Sequence, residues 1–400
     1  MKKTQTECRV CHKELITLLK YDDMPKAAQH LPTQSELATE RGVDLEVCQC
    51  MGCGLVQLSN EPVPYYKEVI RAAAYSQEMK EFRIKQFEKL VQKYSLKNKK
   101  VIEVGCGKGE YLSLMAAAGM NAYGIEHAQE SVESCQSENL QVSQGYLENK
   151  EDKITDEPFD GFFILNFFEH LPDPNGTLSA ISANLKDDGI GLIEVPNFDM
   201  ILKNNLFSEF INDHLFYFTK ETLLSTLNQN GFEVLECTEV WYDYIISAVV
   251  RKRQPVDISQ FYNHQETLKQ ELHAYIKRFG AGKVAIWGAG HQALAIISLT
   301  QLHKSDKIQY VIDDAPFKQG KYTPATHIPI VSQAQLFSNP VDAIIIMAAS
   351  YSDEIANKIR AALDIDISIS ILRDYGLEEI EEGFQWPRDH RELVGLKDIL

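Results

Sequence analysis

Between Lys100 and Lys252 short apolar runs alternate with helical stretches: VIEV at 101–104, AYGI at 122–125, FDGFFIL at 159–165 and GLIEV at 191–195. Strands joined by helical crossovers pair in parallel and are covered on both faces, so this pattern predicts an α/β fold. FEVLEC at 232–237 and WYDYIISAVV at 241–250 are separated by a short turn and read as an antiparallel hairpin closing the sheet's edge. After a polar helical stretch near 256–279 the same grammar returns in KVAIWGAG at 283–290, IQYVIDD at 308–314 and DAIIIMAA at 342–349. A second, Rossmann-like α/β domain is expected there.

The flanks differ. Five of the eight cysteines lie in the first 53 residues, among short apolar pieces and turn residues without a helical period. From Pro64 through Tyr94 apolar residues recur near helical spacing, which suggests one or two amphipathic helices leading inward. The expected organisation is a small cysteine module at 1–60, a core at 61–255 with its helical lead-in, and a C-terminal domain at 256–400. Beyond Tyr375 the acidic tail receives no assignment.

Charge narrows the partners. Forty Lys and Arg against 57 Asp and Glu give a net charge of −17, which lacks the basic footprint of a nucleic-acid binder. No apolar run approaches a membrane span, and nothing at the N-terminus reads as a signal peptide, so a cytoplasmic chain without membrane contact is expected. Eight cysteines in 400 residues do not make a disulfide scaffold. A monomer is the default expectation, with the oligomeric state open.

Glu103-Val-Gly105-Cys106-Gly107-Lys-Gly109 follows the first core strand and precedes a helix starting near Glu110. Glycines at alternate positions let the backbone turn sharply and approach a ligand. Glu126, followed by His127, ends the next strand, where a carboxylate can accept bonds from two ribose hydroxyls. These residues, with Asn166-Phe-Phe-Glu169-His170-Leu-Pro, resemble the class I S-adenosylmethionine-dependent methyltransferases. The resemblance implies that Glu103 reaches the methionine ammonium and that Gly105, Cys106, Gly107 and Gly109 lie under the cofactor. It also implies that Glu126 and His127 flank the ribose, and that Asn166 and Glu169 border the methionine portion.

Cys8-Arg-Val-Cys11 and Cys50-Met-Gly-Cys53 present four thiolates suited to a tetrahedral, structural Zn²⁺, with Cys48 and His12 as rival ligands. This module, which contains YDDMPKAAQHLP and CMGCGLVQL, precedes the core, and DDAPFKQGKYTPATHIPI follows it. In that layout the whole chain resembles the three-domain sugar C-methyltransferases. The resemblance implies methylation of a carbon beside the ketone of a nucleotide-linked keto-deoxysugar, held between the domains.

Carbon becomes nucleophilic only after loss of the proton α to the ketone, so such chemistry needs a base with a pKa near neutrality and a donor for the enolate oxygen. In Asn212-Asp213-His214-Leu215-Phe216-Tyr217 the resemblance places the base at His214, with Asp213 orienting it where the family carries Glu. The family's Tyr falls at Ile211, and Tyr217 is the alternative phenol or a core aromatic. Gly288-Ala-Gly290-His-Gln-Ala293, with Asp313 and Asp314 about 20 residues on, fits the dinucleotide pattern and would ordinarily suggest NAD. The resemblance implies no redox role for that domain. O- or N-methylation of a related sugar, or an NAD-dependent oxidoreductase, are the alternatives.

Overall fold

The computed structural model describes residues 5–27, 31–67, 76–362 and 367–380. Part of the helical lead-in and the acidic tail therefore lie outside the described residues. The chain divides into two compact units, Met1–Pro255 and Val256–Leu400.

In the first unit the elements run β1 (Leu15–Met24), β2 (Val43–Cys50), β3 (Val56–Leu58), α1 (Gln77–Tyr94), β4 (Lys100–Val104), α2 (Glu110–Ala117), β5 (Asn121–Glu126), α3 (Gln129–Ser137) and β6 (Gln141–Gln144). They continue with β7 (Phe159–Leu165), α4 (Pro174–Ala183), β8 (Leu185–Pro196), α5 (Phe198–Asn204), β9 (Phe216–Tyr217), α6 (Lys220–Gln229), β10 (Phe232–Val240) and β11 (Ile245–Lys252). The large sheet has the order β10-β11-β8-β7-β4-β5-β6. Its β8, β7, β4, β5 and β6 are parallel, and β10 and β11 close one edge antiparallel.

Local chemistry sets the helix limits. Ser76 caps α1 by accepting from Met79 N–H, its inward face buries Arg83, Phe87 and Leu90, and the helix stops where Ser95 turns left-handed. Thr219 and Thr222 form a reciprocal capping box that starts α6 directly after the His214 segment.

The cysteine module does not close on itself. Its sheet has the order β1-β2-β3-β9, so the last strand is lent by the core, two residues after His214. Cys8, Val10, Cys50 and Leu55 share one hydrophobic core with Ile164, Phe168, Leu171, Leu215, Phe216 and Leu223. A module this small buries too little by itself, and sharing a core supplies what it lacks.

The second unit runs α7 (Ser259–Ile276), β12 (Val284–Trp287), α8 (His291–Leu299), β13 (Ile308–Ile312), β14 (Ile330–Val331), α9 (Gln335–Ser338), β15 (Ala343–Ile346), α10 (Ser352–Ala362), β16 (Ser368–Arg373) and β17 (Gly376–Ile380). Its sheet order is β14-β13-β12-β15-β16-β17, parallel except for β17. That strand occupies part of the stretch the sequence left unassigned. No helix among the described residues is long and apolar enough to cross a membrane.

Candidate active site

The glycine loop joins β4 to α2. Gly105, Gly107 and Gly109 all have positive φ, and a Cβ at Gly109 would meet Leu140 Cδ1 at 2.4 Å and Cys135 Sγ at 3.2 Å. No other residue fits there. Glu126, at the end of β5, holds the loop: its Oε2 accepts from Gly107 N–H at 2.9 Å, and its Oε1 accepts from His127 N–H at 2.8 Å and Ala128 N–H at 3.0 Å. A cleft opens beside it, lined by Val104, Gly105, Glu126, His127, Tyr146 and Phe167. Glu103 is fully buried on β4, and Cys106 packs beneath the loop. Of the sequence-chosen residues, Gly105, Glu126 and His127 line this cleft, at the C-terminal end of the parallel strands where α/β sheets bind ligands, while Glu103, Cys106, Gly107 and Gly109 are not in its lining.

Arg83 carries no motif and was not legible. It is fully buried, pairs with Glu194, donates to Gln86 Oε1 at 2.8 Å and places its guanidinium 4.9 Å from the Tyr111 ring in the first turn of α2. Its Nε and Nη2 have no partner. Two unmatched donors on a buried guanidinium are a fork for an incoming carboxylate.

Asn166 leaves β7 in the left-handed region, φ 52°, with its N–H donating to Glu194 O at 2.9 Å and its buried Oδ1 unpartnered. The turn then carries Phe167, Glu169 and His170. Glu169 is 2% exposed, and burial pushes its carboxyl up to about 8. His170 Nδ1 meets Asp213 O at 2.8 Å, and its ring lies edge-to-face with His214 at 4.7 Å.

The His214 segment is held from both sides. Leu215 N–H donates to Glu169 O at 2.9 Å, and Leu58 N–H of β3 donates to Leu215 O at 2.9 Å. His214 therefore sits between the cofactor half of the unit and the cysteine module. Burial, with the neighbouring His170 ring, pushes it down to about 3. A base near neutrality was the expectation; burial instead favours the neutral imidazole and makes it a weaker base than a free histidine.

The side chains around His214 also differ in detail. The Asp213 carboxylate accepts from Tyr65 O–H at 2.6 Å. Tyr65 belongs to the lead-in, where periodicity could not single it out. Tyr217 is 4% exposed, and its hydroxyl accepts from Ile211 N–H at 2.9 Å and donates to Ile211 O at 3.2 Å. Its phenol is a tie to the backbone of the position where the family's tyrosine would stand.

In the cysteine module one Sγ from each of Cys8, Cys11, Cys50 and Cys53 lies within 4.8 Å of the others. Cys8 and Cys53 are 3.7 Å apart and Cys11 and Cys50 3.3 Å, against about 3.8 Å for thiolates around a tetrahedral ion with 2.3 Å bonds. Backbone N–H groups of Val10, Gly52 and Cys53 face sulfur, and Gln57 Nε2 donates to Cys8 Sγ at 3.2 Å. The facing Cys53 thiol pulls Cys8 down to about 4 against its burial. Cys48 points to Glu46 O instead. The module also grips the core: Asn175 Nδ2 of α4 donates to Val10 O at 2.7 Å.

Two family models match this chain: a methyltransferase domain over residues 79–237 and a C-methyltransferase C-terminal domain over 252–369. With the sheet and its loop, they define an S-adenosylmethionine-dependent methyltransferase. Along 90% of its length the chain is similar to the C-methyltransferase NovU of Streptomyces niveus, 23% identical over 393 residues and covering 93% of that protein. Over 100 residues it is 34% identical to a ubiquinone biosynthesis O-methyltransferase of Chromobacterium violaceum, 24% of this chain and 43% of that one. Among solved structures, magnesium protoporphyrin IX methyltransferase of Synechocystis with bound SAH aligns at 14% identity, covering 46% of this chain and 90% of that one, with TM-score 0.36.

Proposed function

We propose that the enzyme methylates a carbon α to the ketone of a nucleotide-linked keto-deoxysugar, through an enolate. Similarity to a C-methyltransferase over 90% of the chain carries the reading, and the place of His214, whose neighbour Leu215 N–H donates to Glu169 O on the turn after β7, supports it. The cofactor supplies an electrophilic sulfonium methyl. Glu103 suits its ammonium, the Arg83 fork its carboxylate, and Glu126 its ribose while also ordering the loop. His214 takes the α proton, and the C–H electron pair becomes the enolate. Its carbon then bonds the methyl as the S–CH₃ bond breaks, leaving the thioether S-adenosylhomocysteine. One Zn²⁺ held by Cys8, Cys11, Cys50 and Cys53 serves structure, since four thiolates leave no open position.

Deuterium tests this directly. With S-adenosylhomocysteine bound and no methyl donor, the wild type washes solvent deuterium into the α position of a true keto-sugar substrate. A methyl found on oxygen or nitrogen, with no α exchange, sinks the reading. The observation favouring that alternative is Ile211, which leaves the family's phenol position apolar.

A further inference from the structure

Glu169, His170 and His214 form a cluster that enolate chemistry does not fully use. A buried polar atom without a partner is costly, and Glu169 Oε2 has none. Its Oε1 lies 3.8 Å from His170 Nε2. Because Asp213 O can only accept, His170 Nδ1 must carry the proton, so Nε2 holds a lone pair toward Glu169. Backbone carbonyls fix metal-binding histidines in this way. One ligand atom from each of the three residues lies within 4.8 Å of the others, and the His170 side chain remains 25% exposed, which leaves a path for entry.

We propose that Glu169, His170 and His214 form a second metal site, which takes one divalent first-row ion such as Zn²⁺ through two imidazole nitrogens and a carboxylate oxygen. Bonds of about 2.0–2.2 Å draw these side chains together by roughly 1.5 Å, a matter of rotamer adjustment. The donors differ from the thiolate cluster, and an N₂O set suits Zn²⁺, Co²⁺ or Ni²⁺. Occupancy excludes methyl transfer, because a lone pair given to a metal cannot accept a proton. That consequence rests on the function proposed above, whereas binding itself does not.

The full chain, its thiolates filled with zinc, is titrated with Co²⁺. One further equivalent is expected, showing the weak visible bands of nitrogen and oxygen ligation without thiolate charge transfer. His170→Ala and Glu169→Gln each weaken it more than 10-fold, and unchanged circular dichroism and thermal unfolding show that both variants fold. No further equivalent up to millimolar Co²⁺, or unchanged affinity in both variants, overturns the site and leaves the proposed function untouched. If the ion binds in the wild type and methyl transfer continues, the site stands but His214 is not the base. Binding with loss of transfer and of α exchange supports both.

Discussion

The molecule contains two glycine loops built on one plan, and they differ in what surrounds the acid. In the first, Glu126 Oε2 accepts from Gly107 N–H at 2.9 Å. In the second, Asp313 Oδ2 accepts from Ala289 N–H at 2.9 Å, and its Oδ1 accepts from Ala315 N–H at 2.9 Å. Gly288 has φ 114°, and a Cβ there would meet Met347 O at 2.6 Å, so glycine is as necessary as in the first loop. The difference is Lys318, whose Nζ donates to Asp313 Oδ2 at 2.8 Å and to Ala289 O at 3.1 Å. The carboxylate that would hold a dinucleotide ribose is matched by a cation of its own chain. The loop and the acid are a backbone device; the next neighbour decides whether it is also a ligand site.

His214→Gln sharpens the comparison most, since it asks whether chemistry belongs to the first unit. An amide cannot take the proton, so methyl transfer should fall roughly 10²–10⁴-fold while cofactor affinity stays. Steady-state rates beside calorimetry check both. A near wild-type rate would remove His214 from the mechanism.

Chelation of the zinc proposed at the four thiolates, or Cys50→Ser, comes next. β3 holds β9 two residues beyond His214, so loss of the cysteine site should free the His214 segment and spare the first glycine loop. Misplacement by about 1 Å costs roughly 10²-fold in rate. Hydrogen exchange should rise at residues 214–217 while S-adenosylmethionine still binds. Unchanged exchange there would show that the segment stands without the module, and zinc-free native protein would remove the metal.

Glu126→Ala and Asp313→Ala then test the loops as a pair. Removing the first acid takes a charged acceptor from three N–H groups and from the ribose proposed to lie on it, and should weaken cofactor binding by roughly 1.5–3 kcal/mol, about 10- to 150-fold. Its counterpart should change that affinity less than twofold. Equal losses would break the distinction.

Legibility followed the range of the interactions. The parallel strands, the first loop and Glu126 rest on local pattern, and the capping Thr219 stands next to the helix it starts. Arg83 lies 111 positions from Glu194, and Tyr65 lies 148 from Asp213, so neither partner could be inferred. β6 and β14, at four and two residues, were too short for any period to register. The cysteine spacing picked out the four thiols that come together, but the loan of β9 to that module depends on tertiary pairing.

The smallest effect concerns Lys318. Burial pushes the Asp313 carboxyl up, yet Lys318 and the N–H groups of Ala315 and Ala289 together hold it below the ordinary 3.8. A depressed carboxyl contributes stability that is present above its unfolded pKa and is lost as pH falls through the folded value. Lys318→Ala removes the cation and leaves burial less opposed, so the folded pKa rises and the contribution disappears at a higher pH. At neutral pH the loss should be about 0.5–1 kcal/mol, the range of a partly exposed pair. In full-length protein, hydrogen exchange at 284–299 followed from pH 7 to pH 3 should show the variant opening earlier in the acid limb, with S-adenosylmethionine affinity unchanged. Coincident acid limbs would mean that the backbone amides hold Asp313 alone, and tight NAD binding by the wild type would mean that Lys318 does not close the second loop to dinucleotides.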